Sequence, residues 1–296
     1  MESHPLLQYI LDFDPDDLDN INSYVPIPGE WPRNWSCFAG DMGGTHFRVG
    51  RVDFDANGAA SIAGYQDFPM PGAKKEVPVE DLFDFYEELK STYGVKDSAL
   101  CFSYPAEIYP DGTAKIIRLA KGLKLSGAVG YKINESVVND TVAVLLGSKG
   151  ANMGMVLGTG FNIAYIKDGK IIDAECGLYE GFVTEDFDYG PKAEMQISGK
   201  YLNPLIEKMN DSIPKEELID RAAKVVAGEV LRLSNYAGYK DIKLAVEGTT
   251  FYKLEGLRES IEKYCLKLLD NITFIDGRNT TMIGAAIALY ERRYRK

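Results

Sequence analysis

Histidine is nearly missing from this chain. Its 296 residues include only two, His4 and His46, which leaves few candidates for imidazole catalysis. His4 stands in what reads as a flexible end, and His46 reads as a packing or hydrogen-bonding residue rather than a base. Cysteine is sparse as well. Cys37, Cys101, Cys176 and Cys265 are scattered with no Cys-x-x-Cys pair, which implies reduced thiols in a cytoplasmic protein. Positive charge is short, with 33 Lys and Arg against 44 Asp and Glu and a net charge of -11. Nucleic acids and anionic membrane surfaces select basic faces, so neither is an expected partner. No apolar run approaches membrane-spanning length, and the acidic N-terminus lacks the basic start of a signal peptide. Two nucleotide motifs are also absent. Lys200 follows Gly199 but precedes Tyr201, so there is no Walker A, and Gly158-x-Gly160 lacks the third glycine of a dinucleotide fingerprint. The acidic run "DFDPDDLD" lacks the glycine and bidentate glutamate of a calcium loop, and its Pro15 reads as a helix start.

What is present is a long, ordinary globular composition. With 45% hydrophobic residues the chain can bury a sizeable core, and its length suggests two domains. "SCFAGDM", "THFRVGRVDF" and "AASIAGYQDF" alternate as strands, broken at Gly43-Gly44 and at "DANG". "VEDLFDFYEELKSTYG" carries apolar residues at helical spacing, early acids and a closing Gly94. "SALCFSYPA" returns to strand, and "IYPDGTAKII" predicts a hairpin around Asp111-Gly112. "YKINESVVNDTVAVLLG" reads as strand into helix, with Asn139 or Asp140 at the helix start. Then "NMGMVLGTGFNIAYIKDGKIIDAE" repeats the earlier plan of strand, glycine turn with a threonine, strand, Asp-Gly turn and strand. The repeat predicts two related α/β halves, each offering one glycine hairpin toward a shared cleft. "DIKLAVEGTTFY" predicts a strand entering a glycine loop and helix, and "TTMIGAAIALYERRYRK" a terminal helix whose basic end suits the helix dipole. Tyr201 to Tyr239 reads as helices without chemical signal.

The first glycine turn carries more than a turn needs. Gly43-Gly44-Thr45 alone fits a plain hairpin better than a phosphate site. Asp41 and Arg48, however, are isolated charges in apolar strands and need partners or water. Glycine backbone lets a phosphate approach the N–H groups, and Thr45 adds a hydroxyl. Asp41 is a candidate Mg²⁺ anchor, acting through water because that ion keeps much of its hydration shell. Gly158-Thr159-Gly160 is the matching candidate in the second half. Asp140 fits two roles, an N-cap and a base that accepts a hydroxyl proton as the oxygen attacks phosphorus. Ser103, Lys121, Asn162, Glu175 and Glu194 recur near predicted strand ends. Singly they read as solvated or capping residues, and together they offer the mixed donors and acceptors that a polyhydroxylated sugar needs.

These motifs stand in an order that resembles the hexokinase family, within the actin, Hsp70 and sugar-kinase superfamily. "DMGGTHFRVG" resembles its first phosphate motif, "CFSYPA" its Phe-Ser-Phe-Pro sugar loop and "VVNDTVAVLLG" its Asn-Asp-Thr-Val catalytic motif. "VLGTGFNIAYI" is similar to the second phosphate motif, "AECG" to Glu-Trp-Gly, "EMQISGKYL" to its Ser-Gly-x-Tyr-Leu helix and "AVEGTTFYK" to the adenosine-side loop. The match runs in register from about Ser36 onward.

The resemblance implies a fold of two related actin-like (RNase H-like) α/β domains with a cleft between them. Residues 36–141, completed by a helix at 282–296, would form the small domain, residues 142–281 the large one, and 1–35 an extension. It implies an ATP- and Mg²⁺-dependent hexokinase or glucokinase acting on the 6-hydroxyl of glucose or a close relative, cytoplasmic and monomeric or homodimeric. Asp140 would be the general base, and Ser103, Lys121, Asn139, Asn162, Glu175 and Glu194 would hold the other hydroxyls. Gly43, Gly44, Thr45, Arg48, Gly158, Thr159 and Gly160 would face the ATP phosphates, Asp41 the Mg²⁺, and Gly248 with Thr249 the adenosine side. Four departures bear on substrate. Ala120 stands where the family has threonine, Cys176 where it has tryptophan and His46 where it has asparagine, and the stretch between Glu194 and Val246 is short. An amino- or N-acetyl-hexose kinase and a weakly active sugar sensor of the same fold are the alternatives. The zinc-binding Cys/His cluster usual in bacterial sugar kinases and repressors is missing from the sequence. A structural actin-like protein would keep the nucleotide loops without the group from Ser103 to Glu194.

Overall fold

The computed structural model describes residues 21–119, 123–178, 193–209 and 212–295. His4, the Pro15 helix start, Ala120 and Lys121 lie outside the described residues.

In chain order, β1 (Ile21–Asn22), β2 (Trp35–Met42), β3 (His46–Phe54), β4 (Ala60–Pro69) and β5 (Val77–Pro78) lead to α1 (Val79–Thr92). Next come β6 (Ser98–Phe102), β7 (Ala106–Ile108), β8 (Ala114–Ile116), β9 (Leu125–Ser126), β10 (Lys132–Ile133) and β11 (Ser136–Asn139). α2 (Asp140–Gly147), β12 (Met153–Leu157), β13 (Phe161–Lys167) and β14 (Lys170–Asp173) follow. Then come α3 (Ala193–Ile197), α4 (Gly199–Met209), α5 (Lys215–Ala237) and β15 (Ile242–Glu247). α6 (Thr249–Lys253), α7 (Leu257–Leu268), β16 (Ile272–Asp276) and α8 (Thr281–Tyr294) complete the described elements.

The chain divides into two compact units. The N-terminal unit takes in the described residues of Asn22–Lys149, Asp168–Ile171 and Asn279–Lys296, and the C-terminal unit those of Met1–Ile21, Gly150–Lys167 and Ile172–Arg278. The N-terminal unit is built on a sheet ordered β11-β6-β2-β3-β4, with β2 parallel to β6 and antiparallel to β3. Its β2 is buried from Cys37 to Met42, as a central strand covered on both faces must be. Phe38, Phe47, Leu82, Tyr86, Leu100 and Ile133 belong to its core. α1 buries Val79, Leu82, Phe83 and Tyr86, and the chain leaves it at Tyr93 and a left-handed Gly94 (φ 65°). The strand expected over 98–106 stops at Phe102, and past Pro105, which has no N–H to give to a ladder, Ala106 opens β7 of a separate sheet ordered β10-β8-β7.

A second sheet, ordered β1-β14-β13-β12-β15-β16, carries the second glycine hairpin. The C-terminal unit has its own core, in which Met155, Ile163, Val226, Val230, Leu244 and Phe251 are buried. α5 ends on Gly238 in the left-handed region (φ 72°), whose N–H returns to Ser234 and Asn235 carbonyls.

Within the N-terminal unit, α8 packs on α2, β2, β6 and β11. The α2–α8 approach is backbone to backbone. A Cβ on Gly284 would lie 1.8 Å from the Ala143 carbonyl oxygen, and one on Gly147 would lie 2.2 Å from that of Thr280. Glycine at both positions is therefore required by space, although neither has a positive φ.

Candidate active site

The first glycine turn closes the β2–β3 hairpin. Register sets Asp41 opposite Arg48 and Met42 opposite Phe47, and the Gly43 N–H donates to the His46 carbonyl (3.0 Å). Directly opposed residues of an antiparallel pair share a face, so the Arg48 guanidinium reaches Asp41 Oδ2 at 3.2 Å. The Thr281 hydroxyl at the start of α8 donates to the same oxygen at 3.1 Å. Asp41 is only 4% exposed, and burial pushes its carboxyl up from the ordinary value. Arg48 and the hydrogen bonds from Thr281 and Cys101 oppose that rise, while the charge of Asp140 adds to it. Arg48 also faces Asp67 of β4 (Nε to Oδ2 3.7 Å), whose other oxygen pairs with His46 Nδ1 at 2.9 Å. Arg48, expected beside phosphates, is thus held between two carboxylates. Gly43 and Gly44 are half-buried, and Thr45 is exposed.

Ser103 lies one residue beyond β6, where its N–H donates to the Met42 carbonyl (3.2 Å). Beside it the buried Tyr104 donates its hydroxyl to the Gly43 carbonyl at 2.5 Å. The sugar-loop and phosphate-loop candidates of this unit are therefore joined by adjacent hydrogen bonds.

Asn139 caps α2. Its Oδ1 accepts from the Thr141 N–H (2.9 Å) and the Thr141 hydroxyl (2.7 Å). Asp140 is consequently the first helical residue and not the cap. Its side chain is half-buried, and among the described residues it has no hydrogen-bond or ion-pair partner.

In the C-terminal unit, β12 and β13 pair Leu157 with Phe161, which leaves Gly158-Thr159-Gly160 as the turn. The Gly158 carbonyl accepts from the Gly199 N–H (2.8 Å) at the head of α4 and from the Thr250 hydroxyl (2.7 Å) in α6. Gly248 sits at φ 126°, and a Cβ there would lie 2.2 Å from the Leu157 carbonyl oxygen. Three glycine-bearing loops thus meet around one peptide. Gly158, Gly248 and Thr249, separated by some ninety residues, belong to this one cluster, with Thr249 exposed. Ser198 Oγ, next to Gly199, is buried without a hydrogen-bond partner among the described residues.

Asn162 is buried on β13. Its Oδ1 accepts from the N–H groups of Ile163 (2.7 Å) and Cys176 (3.2 Å), and its Nδ2 donates to Asp173 Oδ1 at 2.6 Å. Glu175, between Asp173 and Cys176, has φ 47°, a left-handed conformation that side chains with a Cβ adopt at a cost. Glu194 on α3 is brought close by Gly177, where a Cβ would lie 3.3 Å from that of Glu194 and 2.2 Å from the Phe161 carbonyl oxygen. Cys176 is fully buried, and burial together with the Glu229 charge raises its thiol pKa.

Among the described residues, no group of three or more histidine, cysteine, aspartate or glutamate side chains is disposed to hold a metal ion. Nor is any described helix long and apolar enough to cross a membrane.

A family model described as Hexokinase matches residues 16–149, the span that carries Asp41, the first glycine turn, Ser103, Asn139 and Asp140. Over this span the chain is similar to hexokinases. A curated hexokinase of Schistosoma mansoni is 26% identical over 200 residues, covering 58% of this chain and 44% of that protein. Hexokinase-2, chloroplastic, of Nicotiana tabacum is 24% identical over 253 residues, covering 65% of this chain and 51% of its own. The chain thus spans about half the length of these relatives. Among solved structures, the S. mansoni hexokinase complexed with glucose superposes with a TM-score of 0.73 at 18% identity, covering 96% of this chain and 93% of that one. A ROK family glucokinase from Streptomyces griseus, in complex with glucose and AMPPNP, gives a TM-score of 0.58 at 16% identity, covering 85% of this chain and 98% of that one. The fold is the expected α/β fold of two actin-like domains.

Several residues around these candidate groups, in one unit or the other, were not singled out from sequence. Asp173 was detectable, as an acid ending an apolar strand two residues before Glu175. Asp67 carried a weaker sign, a charge on the face of β4 that the register turns to Arg48. Thr281, Thr250 and the hydroxyl of Tyr104 carried none, because their partners are distant in sequence.

Proposed function

We propose that this chain is a hexokinase/glucokinase-type phosphotransferase that moves the γ-phosphoryl group of ATP to the 6-hydroxyl of glucose or a related hexose. The observation that carries the reading is Asp140. Its carboxylate opens α2 half-buried and unpartnered among the described residues, in the unit that also holds the Gly43–Thr45 turn pinned to Ser103. An acid in that state can take the hydroxyl proton as the oxygen attacks phosphorus. The relatives' structures with glucose, and with glucose and AMPPNP, support the same substrate classes here.

The remaining roles follow the chemistry of the residues. The Gly43–Thr45 and Gly158–Gly160 turns are proposed to receive the phosphates through the N–H groups of Gly44 and Gly160 and the hydroxyls of Thr45 and Thr159. The Gly43 and Gly158 N–H groups are spent on the His46 and Gly160 carbonyls, and Gly248 with Thr249 is proposed to face the adenosine side. Ser103, Asn139, Asn162, Glu175 and Glu194 are proposed to hold the other sugar hydroxyls, together with Lys121, which lies outside the described residues. Mg²⁺ fits a single-carboxylate site of this kind. Asp41 is one buried acid whose Oδ2 already receives Arg48 and Thr281, so it would hold the ion through water. When bound, the ion neutralises charge on the transferring phosphates. We further propose a cytoplasmic protein, monomeric or homodimeric.

The test is coupled ADP release from Mg²⁺-ATP over hexoses, amino and N-acetyl hexoses and no sugar, with Asp140→Ala alongside. Hexose-dependent turnover lost by roughly a hundredfold or more in the variant supports the reading. Turnover confined to amino or N-acetyl sugars would transfer the assignment to that acceptor, and sugar binding without turnover would make the chain a sensor.

A further inference from the structure

We propose that Tyr104 is a positioning residue that couples the sugar loop to the first phosphate turn through the hydrogen bond its hydroxyl donates to the Gly43 carbonyl, an inference that rests on the function proposed above. The last paired residues of β6 and β2 are Phe102 and Met42. Beyond that pair two further bonds join the segments, one from backbone and one from a side chain. The Ser103 N–H reaches the Met42 carbonyl (3.2 Å) and the Tyr104 hydroxyl the next carbonyl along, Gly43 (2.5 Å). Tyr104 is 2% exposed, and its ring packs edge-on against Phe102 with centroids 5.1 Å apart, so it has no room to swing away.

The consequence lies in one peptide unit. The Gly43 carbonyl and the Gly44 N–H belong to the same planar, trans peptide and point in opposite directions. Gly-Gly peptides flip readily, since neither residue has a Cβ to forbid the alternative. A bond from Tyr104 to the carbonyl removes that freedom and leaves the Gly44 N–H directed away from Tyr104, presented as a phosphate donor. Polarisation runs the other way as well. An anion on the Gly44 N–H strengthens the carbonyl as an acceptor, tightens the Tyr104 bond and steadies Ser103 beside it. Burial and the charges of Asp41 and Asp140 push the Tyr104 phenol above its ordinary pKa, so it remains a donor at working pH. Sugar and nucleotide should therefore strengthen each other's binding, by the same factor in each direction.

Tyr104→Phe deletes a single oxygen and is the test. Glucose affinity is measured by calorimetry alone and with saturating Mg²⁺-AMPPNP, and nucleotide affinity is measured with and without glucose. Tyr86→Phe is the control, because the Tyr86 hydroxyl also donates to a buried backbone carbonyl, that of Ala99 at 3.0 Å, but joins no two loops of the site. Wild type and Tyr86→Phe are expected to show mutual enhancement of about fivefold or more, the lower range of measured couplings. In Tyr104→Phe that factor falls to near one, nucleotide alone binds several-fold more weakly, and glucose alone is little changed. Coupling retained in Tyr104→Phe, coupling lost equally in Tyr86→Phe, or no coupling in wild type each overturns the inference while leaving the kinase reading intact. Failure of wild type to bind either glucose or nucleotide overturns both.

Discussion

Asp41 illustrates what a single residue endures for a role in such a site. Its carboxyl is pushed up chiefly by burial, whereas an unfolded chain leaves it near the ordinary value of about 3.9. The native state then binds its proton more tightly than the unfolded state does. Its contribution to stability is complete below the ordinary value and is lost as pH rises through the native one. Asp41→Asn keeps an acceptor for Thr281 and removes this slope. Measured by denaturant without Mg²⁺ or nucleotide, the variant should gain on wild type as pH rises from about 4 to about 7. A difference that stays flat or shrinks would show that Arg48 and Thr281 outweigh burial. Thr281→Val should in turn weaken the site, costing about 1 kcal/mol for the lost bond and raising the Mg²⁺ concentration needed for half-maximal turnover, with Thr281→Ser restoring both. At this scale sequence was half legible. An acid and an arginine at either side of a glycine turn announce that something is bound or paired there, and both ends of the Asp41–Arg48 pair were visible. The third member, Thr281, lies 240 residues away and is one threonine opening an alanine-rich helix.

Elements were easier to read than partners. Alternation of apolar residues ending at Gly43-Gly44 or Gly158 identifies a hairpin, since glycine turns and the two-residue period are local properties. Contacts between elements are not local, and nothing in "IGAAIAL" says which helix its small face will meet. The answer is α2, through Gly147 and Gly284. Gly284→Ala places a methyl against the Ala143 backbone, which cannot yield as a side chain would. It should cost at least about 2 kcal/mol, in the range of overpacked cores. Because α2 opens with Asp140, turnover should fall further than the loss of folded protein accounts for, by calorimetry set beside the coupled assay. A wild-type melting temperature in the variant would mean that the helices part without penalty. Asn162 was legible as a polar residue after a glycine turn, but which groups it meets on and just past the neighbouring strand β14, Asp173 and the Cys176 N–H, is set by register rather than composition.

For the molecule as a whole, two separate cores give an observable consequence. None of the four cysteines is in a disulfide, and all are buried, with burial lifting the thiols of Cys37 and Cys176 well up and that of Cys265 to about 12. The native protein should therefore label slowly with a thiol reagent. Cys37 and Cys101 belong to the N-terminal unit, Cys176 and Cys265 to the C-terminal unit. Rising urea should expose them in those two pairs, read by mass spectrometry of the labelled peptides, because multidomain chains seldom unfold in one step. Simultaneous labelling of all four at one midpoint would show instead a single cooperative structure.

The packing of α8 sets an order on biosynthesis. Synthesis runs from β2 toward β16 before the helix that covers β2, β6 and β11 has been made. The half of the protein translated first is therefore closed last. Until residue 294 has left the ribosome, its central strands stand with an uncovered apolar face, and Asp41 has neither its threonine nor its wall.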